Sequence, residues 1–150
     1  MTYRTSGAFH LAHAPHILLL AFVGCGASHG TAPVTGLVTY KEQPVAEATV
    51  NFLPKSDQPN GKRATGKTDR SGRFTLTTYI NPDEQPAGAL PGAYAVTVTK
   101  IDEPQGVFDP HKDPPPKNHL PLKYGTPQQT PLTAEVKSSG GNHFELKLSD

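Results

Sequence analysis

The sequence predicts an all-β sandwich built from short strands, and three observations lead to this prediction. From Val34 onward, apolar and polar residues alternate with a period of two, which is the pattern of half-buried strands. Glycine and proline, 14 and 16 of the 150 residues, separate these runs and supply turns. Hydrophobic residues make up only 35% of the chain and tryptophan is absent, so the composition favours many short strands over helices.

Seven strands are predicted, and they cover residues 35–40, 48–54, 63–68, 73–79, 93–101, 132–136 and 143–148. Alternation assigns the following side chains to the inward face: Val38, Tyr40, Val50, Phe52, Phe74, Leu76, Tyr94, Val96, Val98, Phe144, Leu146 and Leu148. Leu120, Leu122 and Tyr124 are expected to pin the preceding loop to the core. Residues 69–72 (DRSG) predict a tight hairpin turn, because aspartate and glycine favour its first and last positions. Seven strands in about 115 residues suit an immunoglobulin-like or transthyretin-like sandwich.

Residues 1–24 are predicted to be a signal peptide and not part of the fold. Arg4 is the only charged side chain among them, and an apolar run follows at residues 17–24 (ILLLAFVG). The run is too short to cross a bilayer, which takes about 20 residues, but it matches the hydrophobic region of a signal peptide. Cys25, the only cysteine, comes next. We therefore expect residues 25–33 to form a flexible tether and residues 34–150 to form the domain.

The residues Phe22-Val23-Gly24-Cys25 resemble the lipobox of bacterial lipoproteins, with Phe22 where leucine is usual. In that family a peptidase cleaves before the cysteine, which then carries acyl chains. The resemblance implies lipidation of Cys25 and attachment to a membrane, since two or three acyl chains make a firm anchor. Gly26 rather than aspartate follows the cysteine, which favours the outer membrane. We expect an exported protein that faces the periplasm or the cell surface.

Three further segments resemble the carboxypeptidase regulatory-like domain. Residues 34–52 (VTGLVTYKEQPVAEATVNF) match its opening, residues 68–74 (TDRSGRF) its Thr-Asp-x-x-Gly-x-Phe marker, and residues 90–96 (LPGAYAV) its Pro-Gly-x-Tyr-x-Val strand. Residues 120–124 (LPLKY) and 142–146 (NHFEL) are similar to those of small planctomycete lipoproteins. The resemblance implies a transthyretin-like (prealbumin-like) sandwich without catalytic residues, which serves as an accessory, adhesive or stalk module.

The charge of the chain argues against nucleic acid as a partner. The formal net charge is +1, and removal of residues 1–24 takes away one of 14 basic residues, which leaves 13 basic and 13 acidic residues. A neutral body without a basic stripe does not neutralise phosphates. It does not provide a polybasic hold on anionic lipids either.

A proline-rich excursion at residues 102–131 carries the candidate metal ligands. His111 and His119 could meet there, with Asp109 and Asp113 nearby, and the competing interpretation is a solvated loop. The histidines lack the spacing of a zinc site. No nucleophile elbow is present, and Cys25 lies outside the predicted domain. No cofactor and no catalytic residue is predicted.

These observations predict a non-enzymatic, lipid-anchored structural or interaction module of the cell envelope. Its partners are expected to be the membrane, through the lipid, and an envelope protein or glycan whose identity the sequence does not specify. The alternative is a periplasmic or surface binding protein for a small ligand, a metal or a glycan. In that case loops 55–62, 80–91 and 102–131 at the sandwich ends would form the site.

Overall fold

The computed structural model describes residues 1–2, 30–102, 106, 109 and 111–150. In this part of the chain two β-sheets pack face to face, which confirms the predicted all-β, sandwich-like class. The single helical element among these residues is a 3₁₀ turn at Leu122–Tyr124. In the same residues, no helix has both the length and the apolar character needed to traverse a bilayer.

The first sheet is centred on β1 (Val34–Tyr40). β9 (Asn142–Leu148) pairs with one edge of β1 in parallel along its whole length. The other edge of β1 takes two short antiparallel strands, β5 (Arg73–Thr75) and β2 (Gln43–Pro44). The first and last strands of the domain are therefore direct neighbours.

The second sheet has five strands, all of them antiparallel to their neighbours. Its spatial order is β6 (Thr77–Thr78), β4 (Ala64–Lys67), β3 (Thr49–Pro54), β7 (Gly92–Thr99) and β8 (Thr133–Val136). β3 and β7 lie at the centre, and their alternating apolar residues face the first sheet. This arrangement covers one face of each sheet.

The strand predicted at residues 73–79 is divided between the two sheets. β5 pairs with β1 of the first sheet, whereas β6 pairs with β4 of the second. Leu76 lies at the crossing, where it is 1% exposed and its N–H donates to the carbonyl of Val34. A strand that changes sheets at a sandwich corner keeps its hydrogen bonds on both sides of the bend. Alternation continues through the bend, so the sequence predicts one strand.

β2 was not predicted, because its turn lacks the usual residues. Tyr40 pairs with Gln43 across a two-residue turn in which Lys41 and Glu42 have φ angles of 50° and 67°. Such a turn normally uses asparagine and glycine, which tolerate positive φ. With the extra strand β2 and the divided fourth strand, the predicted seven strands become nine.

The core lies between the sheets and contains nearly all the side chains that alternation assigned inward. Phe52 is its centre, with ring centroids 6.4 Å from Phe74, 5.7 Å from Tyr94 and 5.4 Å from Phe144. Phe74 and Phe144 belong to the first sheet and Phe52 to the second, so these aromatic contacts join the layers. The following predicted core residues are buried: Val38, Val50, Phe52, Phe74, Leu76, Tyr94, Val96, Val98, Leu120, Tyr124, Leu146 and Leu148. Tyr40 and Phe144 are partly buried against them.

Two side chains differ from the prediction. Leu122, predicted to contact the core, is 76% exposed. It lies two residues before buried Tyr124 in a 3₁₀ turn, where residues two apart point in different directions. Thr97 lies between Val96 and Val98, so alternation directs it outward, yet it is only 3% exposed. The segment before β8 runs beside it, with Leu132 accepting a hydrogen bond from the N–H of Val96.

The strands define two ends of the sandwich. The near end holds the beginnings of β1 and β9, loops 55–63 and 79–91, and the turn at 137–141. The far end holds the Lys41 turn, the hairpin at 69–72, residues 100–102 and 111–124, and residues 149–150. Ala32, within the predicted tether, is 4% exposed and pairs with Ala89 at the near end. Backbone pairing with the near end therefore includes Ala32, two residues before Val34.

Candidate functional site

Cys25 lies outside the described residues, and its distance from the fold is limited by the chain. Gly30 is five positions later (30 − 25 = 5), and Ala32 is held by reciprocal backbone hydrogen bonds of 2.8 and 3.0 Å with Ala89. A fully extended chain covers at most about 3.6 Å per residue, so Cys25 lies within about 18 Å of Gly30. A group carried by Cys25 is thus confined to the neighbourhood of the near end.

Two of the candidate metal ligands, Asp109 and Asp113, form hydrogen bonds with residues that are close to them in sequence. The Oδ1 atom of Asp109 accepts a hydrogen bond of 2.9 Å from the N–H of His111, and its Oδ2 atom lies 3.2 Å from the Lys112 ammonium. Asp113 Oδ2 accepts from the N–H of Asp109 at 2.8 Å. These bonds are the local side-chain contacts that shape turns. The His111 side chain is exposed to solvent.

His119 has a different partner from the one predicted. The Nε2 atom of the His119 ring lies 2.6 Å from Oδ1 of Asp102. The backbone N–H of His119 donates a hydrogen bond of 2.8 Å to the carbonyl of Lys100. This pair closes the base of the excursion, where Ile101 bridges to Asn118. Among the described residues, no three His, Cys, Asp or Glu side chains come together in a way that could hold a metal ion.

The outer surface of the first sheet forms an open concavity of about 500 Å³ that the sequence did not predict. Thr75, Thr35 and His143 lie in one row across β5, β1 and β9, because Thr35 is the register partner of both others. The rest of the lining comes from Lys67 of β4, Gly36, Asp69, Arg73 and Phe74. Thr75 and His143 each adjoin a side chain assigned inward, so alternation directs them outward, but only the pairing of β1 with β5 and β9 brings them together.

The polar groups of this concavity have mixed hydrogen-bonding roles. His143 Nδ1 lies 3.0 Å from Thr35 Oγ1. Asp69 accepts from the Ser71 hydroxyl and from the N–H of Arg73, and these bonds hold the pKa of the Asp69 carboxyl below its usual value. In the described part of the chain, the Arg73 guanidinium has no carboxylate within ion-pair distance. The concavity can therefore offer donors and acceptors to a polar ligand.

At the far end, four side chains converge on the last residues of the chain, and we call Tyr40, Lys41, Lys123 and Tyr124 the far-end clasp. The Lys41 ammonium lies 2.6 Å from Oδ2 of Asp150, and the Tyr40 hydroxyl donates to the other oxygen of the same carboxylate. The Lys123 ammonium donates to the main-chain oxygen of Asp150 at 2.8 Å. The clasp thus contacts residues 149–150 from two separate elements: β1 with its turn contacts the Asp150 carboxylate, and the 3₁₀ turn contacts the main chain.

The electrostatics of the far-end clasp follow from these contacts. The hydrogen bond to the Asp150 carboxylate raises the pKa of Tyr40 and that of Lys41, because both partners are favoured in their protonated forms. The Lys41 ammonium in turn lowers the pKa of Asp150. Lys41 and Lys123 also lie over the rings of Tyr40 and Tyr124, 5.2 and 5.1 Å from the centroids, which is cation–π distance.

Comparison of the chain with protein-family models, with curated proteins and with solved structures finds no match. The sandwich-like fold therefore rests on the observed strand pairing. The family resemblance and the lipobox remain predictions from the sequence.

Proposed function

We propose that this protein is a lipid-anchored, non-enzymatic structural or interaction module of the cell envelope. In this proposal Cys25 carries acyl chains after removal of residues 1–24, and the body is a transthyretin-like sandwich of the carboxypeptidase regulatory-like type. The protein is exported and attached to a membrane, with the outer membrane favoured. The observation that carries the proposal is the position of Cys25, directly after an apolar run and seven residues before Ala32 (32 − 25 = 7), which pairs with Ala89 of the body.

The geometry of the body supports a role in presenting its far end. A tether of at most about 18 Å keeps the near end beside the anchored cysteine. β1 leads directly away from that end, and its seven residues cover about 23 Å at 3.3 Å each. The turn at Lys41 and the far-end clasp are then the parts of the described body most remote from the anchor. A partner in the envelope would meet these parts first.

The pairing of ionisable groups supports a role without catalysis. Asp102 pairs with His119, Glu47 with Lys67, and Asp150 with Lys41, each at the surface. Among the described residues, every buried side-chain nitrogen or oxygen has a hydrogen-bond partner. Catalytic sites commonly keep an unsatisfied polar group aimed at a substrate. The proposal therefore assigns the surface groups to folding and recognition.

Metabolic labelling of cells with a palmitate analogue tests the anchor. The wild-type protein is expected to be labelled and to sediment with membranes, whereas Cys25→Ser is expected to be unlabelled and soluble. The matched control is the double variant Cys25→Ser/Ser28→Cys, which restores a cysteine three positions after the original one (28 − 25 = 3). It should stay unlabelled, because the peptidase requires the cysteine directly after the run. Equal labelling of wild type and Cys25→Ser would overturn the anchor.

The concavity on the first sheet favours a second candidate function, the binding of a small polar ligand such as an acidic sugar. Arg73 is the residue best suited to a carboxylate, because its planar guanidinium forms two parallel hydrogen bonds. Calorimetric titration with glucuronate compares Arg73→Gln with Arg70→Gln, which alters the same hairpin outside the concavity. Binding lost only in Arg73→Gln supports this candidate, and absence of binding to the wild type rejects it.

A further inference from the structure

We propose that the far-end clasp is a recognition site for a Ser-Asp peptide segment of a partner protein, and that Ser149 and Asp150 occupy it in the free protein. Tyr40, Lys41, Lys123 and Tyr124 form the site. The inference goes beyond the proposed function, because it depends on the far end alone and holds whether or not Cys25 carries a lipid.

The first argument is the carboxylate itself. Both oxygens of the Asp150 side chain are contacted, one by the Tyr40 hydroxyl and the other by the Lys41 ammonium at 2.6 Å. Charge-assisted bonds of this kind are about twice as strong as neutral ones. The Lys41 ammonium attracts the negative charge of the carboxylate, and the hydrogen bond from the Tyr40 hydroxyl fixes its orientation. Tyr40 and Lys41 together are suited to bind a carboxylate. A side-chain amide in the same position would bind them more weakly, because it carries no charge.

The second argument is that the clasp also contacts the peptide backbone. The Tyr124 hydroxyl accepts a hydrogen bond from the N–H of Ser149 at 3.0 Å and lies 3.1 Å from the carbonyl of the same residue. The Lys123 ammonium binds the main-chain oxygen of Asp150. These groups would find no equivalent on a sugar carboxylate. The observations therefore favour a peptide over a glycan as the ligand.

The third argument is that the far-end clasp contains a strained backbone residue and that another peptide segment could replace residues 149–150 in it. Lys41 keeps φ at 50°, a conformation that is strained for a non-glycine residue and that is concentrated at functional sites. The side chains of Lys41 and Asp150 are 59% and 69% exposed. Exposed ion pairs contribute little to stability. The tail can thus leave the clasp without unfolding the sandwich.

The test titrates ¹⁵N-labelled protein with the synthetic peptide acetyl-Leu-Ser-Asp and follows backbone amide shifts in NMR spectra. The protein carries Asp150→Asn, which weakens the competing tail and keeps its length. Saturable shifts are expected at Tyr40, Lys41 and Lys123. The wild type should bind about tenfold more weakly, because its own tail is present at an effective concentration in the millimolar range. Higher salt should weaken binding, since the contacts are exposed charges.

Three controls make the result decisive. The peptide acetyl-Leu-Ser-Asn should bind at least about fivefold more weakly, and so should the variant Asp150→Asn/Lys41→Gln toward the original peptide. Asp150→Asn/Lys55→Gln removes an exposed lysine at the near end and should bind like the parent. Absence of saturable shifts, or equal binding of the two peptides, would overturn the site. Glucuronate that binds as tightly as the peptide would overturn the choice of a peptide ligand.

Discussion

The aromatic contact at the centre of the sandwich makes replacement of Phe52 a stringent test of how the two sheets are joined. Phe52 is fully buried, and the rings of Phe74 and Phe144 reach it from the other sheet. Phe52→Ala removes the ring that fills the space between them. Those neighbours belong to strands fixed by backbone pairing, so the cavity collapses only partly. We expect a loss of about 3–5 kcal/mol in the free energy of unfolding.

Guanidinium denaturation followed by tyrosine fluorescence measures this loss, since the chain has five tyrosines and no tryptophan. Thermal unfolding gives a second readout. A body of about 115 residues unfolds with an entropy near 0.24 kcal/mol/K, so the expected loss in the free energy of unfolding lowers Tm by about 12–20 °C. Leu122→Ala is the control, because this side chain is 76% exposed and its removal should change stability by less than about 0.5 kcal/mol. A loss below about 1.5 kcal/mol for Phe52→Ala would refute the role of the ring in joining the sheets.

Three further predictions concern other positions. Gly36→Ala should destabilise by about 2–3 kcal/mol, because a Cβ there would overlap the ring of Phe74, whereas Gly141→Ala has open space and should be nearly neutral by the same denaturation assay. Thr68→Val should cost about 2–3 kcal/mol, since the Thr68 hydroxyl satisfies a buried N–H and a buried carbonyl; a loss under about 0.5 kcal/mol would contradict this reasoning. The lowered pKa of Asp150 means that its stabilisation is complete above the ordinary value of 3.8 and disappears as the pH falls below it. The stability difference between wild type and Asp150→Asn should therefore be larger at pH 6 than at pH 2.5, and a constant difference would contradict it.

Local pattern determined much of the fold. The alternation around Val50 and Phe52, and again around Val96 and Val98, correctly assigned the buried face of each strand, because successive side chains of any strand point to opposite sides. The turn at residues 69–72 was also predicted from its own residues, and Asp69 makes the expected bonds to the N–H groups that follow it.

The candidate sites also differ in how far local sequence predicts them. The expectation for Cys25 depends only on neighbouring residues and stays a prediction, whereas the contact that the structure gives to His119 lies outside the residues considered with it. Its partner is Asp102, at the opposite base of the excursion, and nothing in the spacing of the histidines indicates that contact. A loop without periodicity gives no information on which of its side chains meet.

The sequence by itself determined that this chain forms strands, which residues of those strands are buried, and where a leader and an anchoring cysteine are expected. Only the tertiary structure decided which strands are neighbours. The parallel pairing of β9 with β1 aligns His143 with Thr35, and the return of the chain after the excursion brings Lys123 to Asp150 beside Lys41. The physical reason is that a period of two satisfies burial equally well for any neighbour, whereas register and pairing depend on contacts between distant parts of the chain.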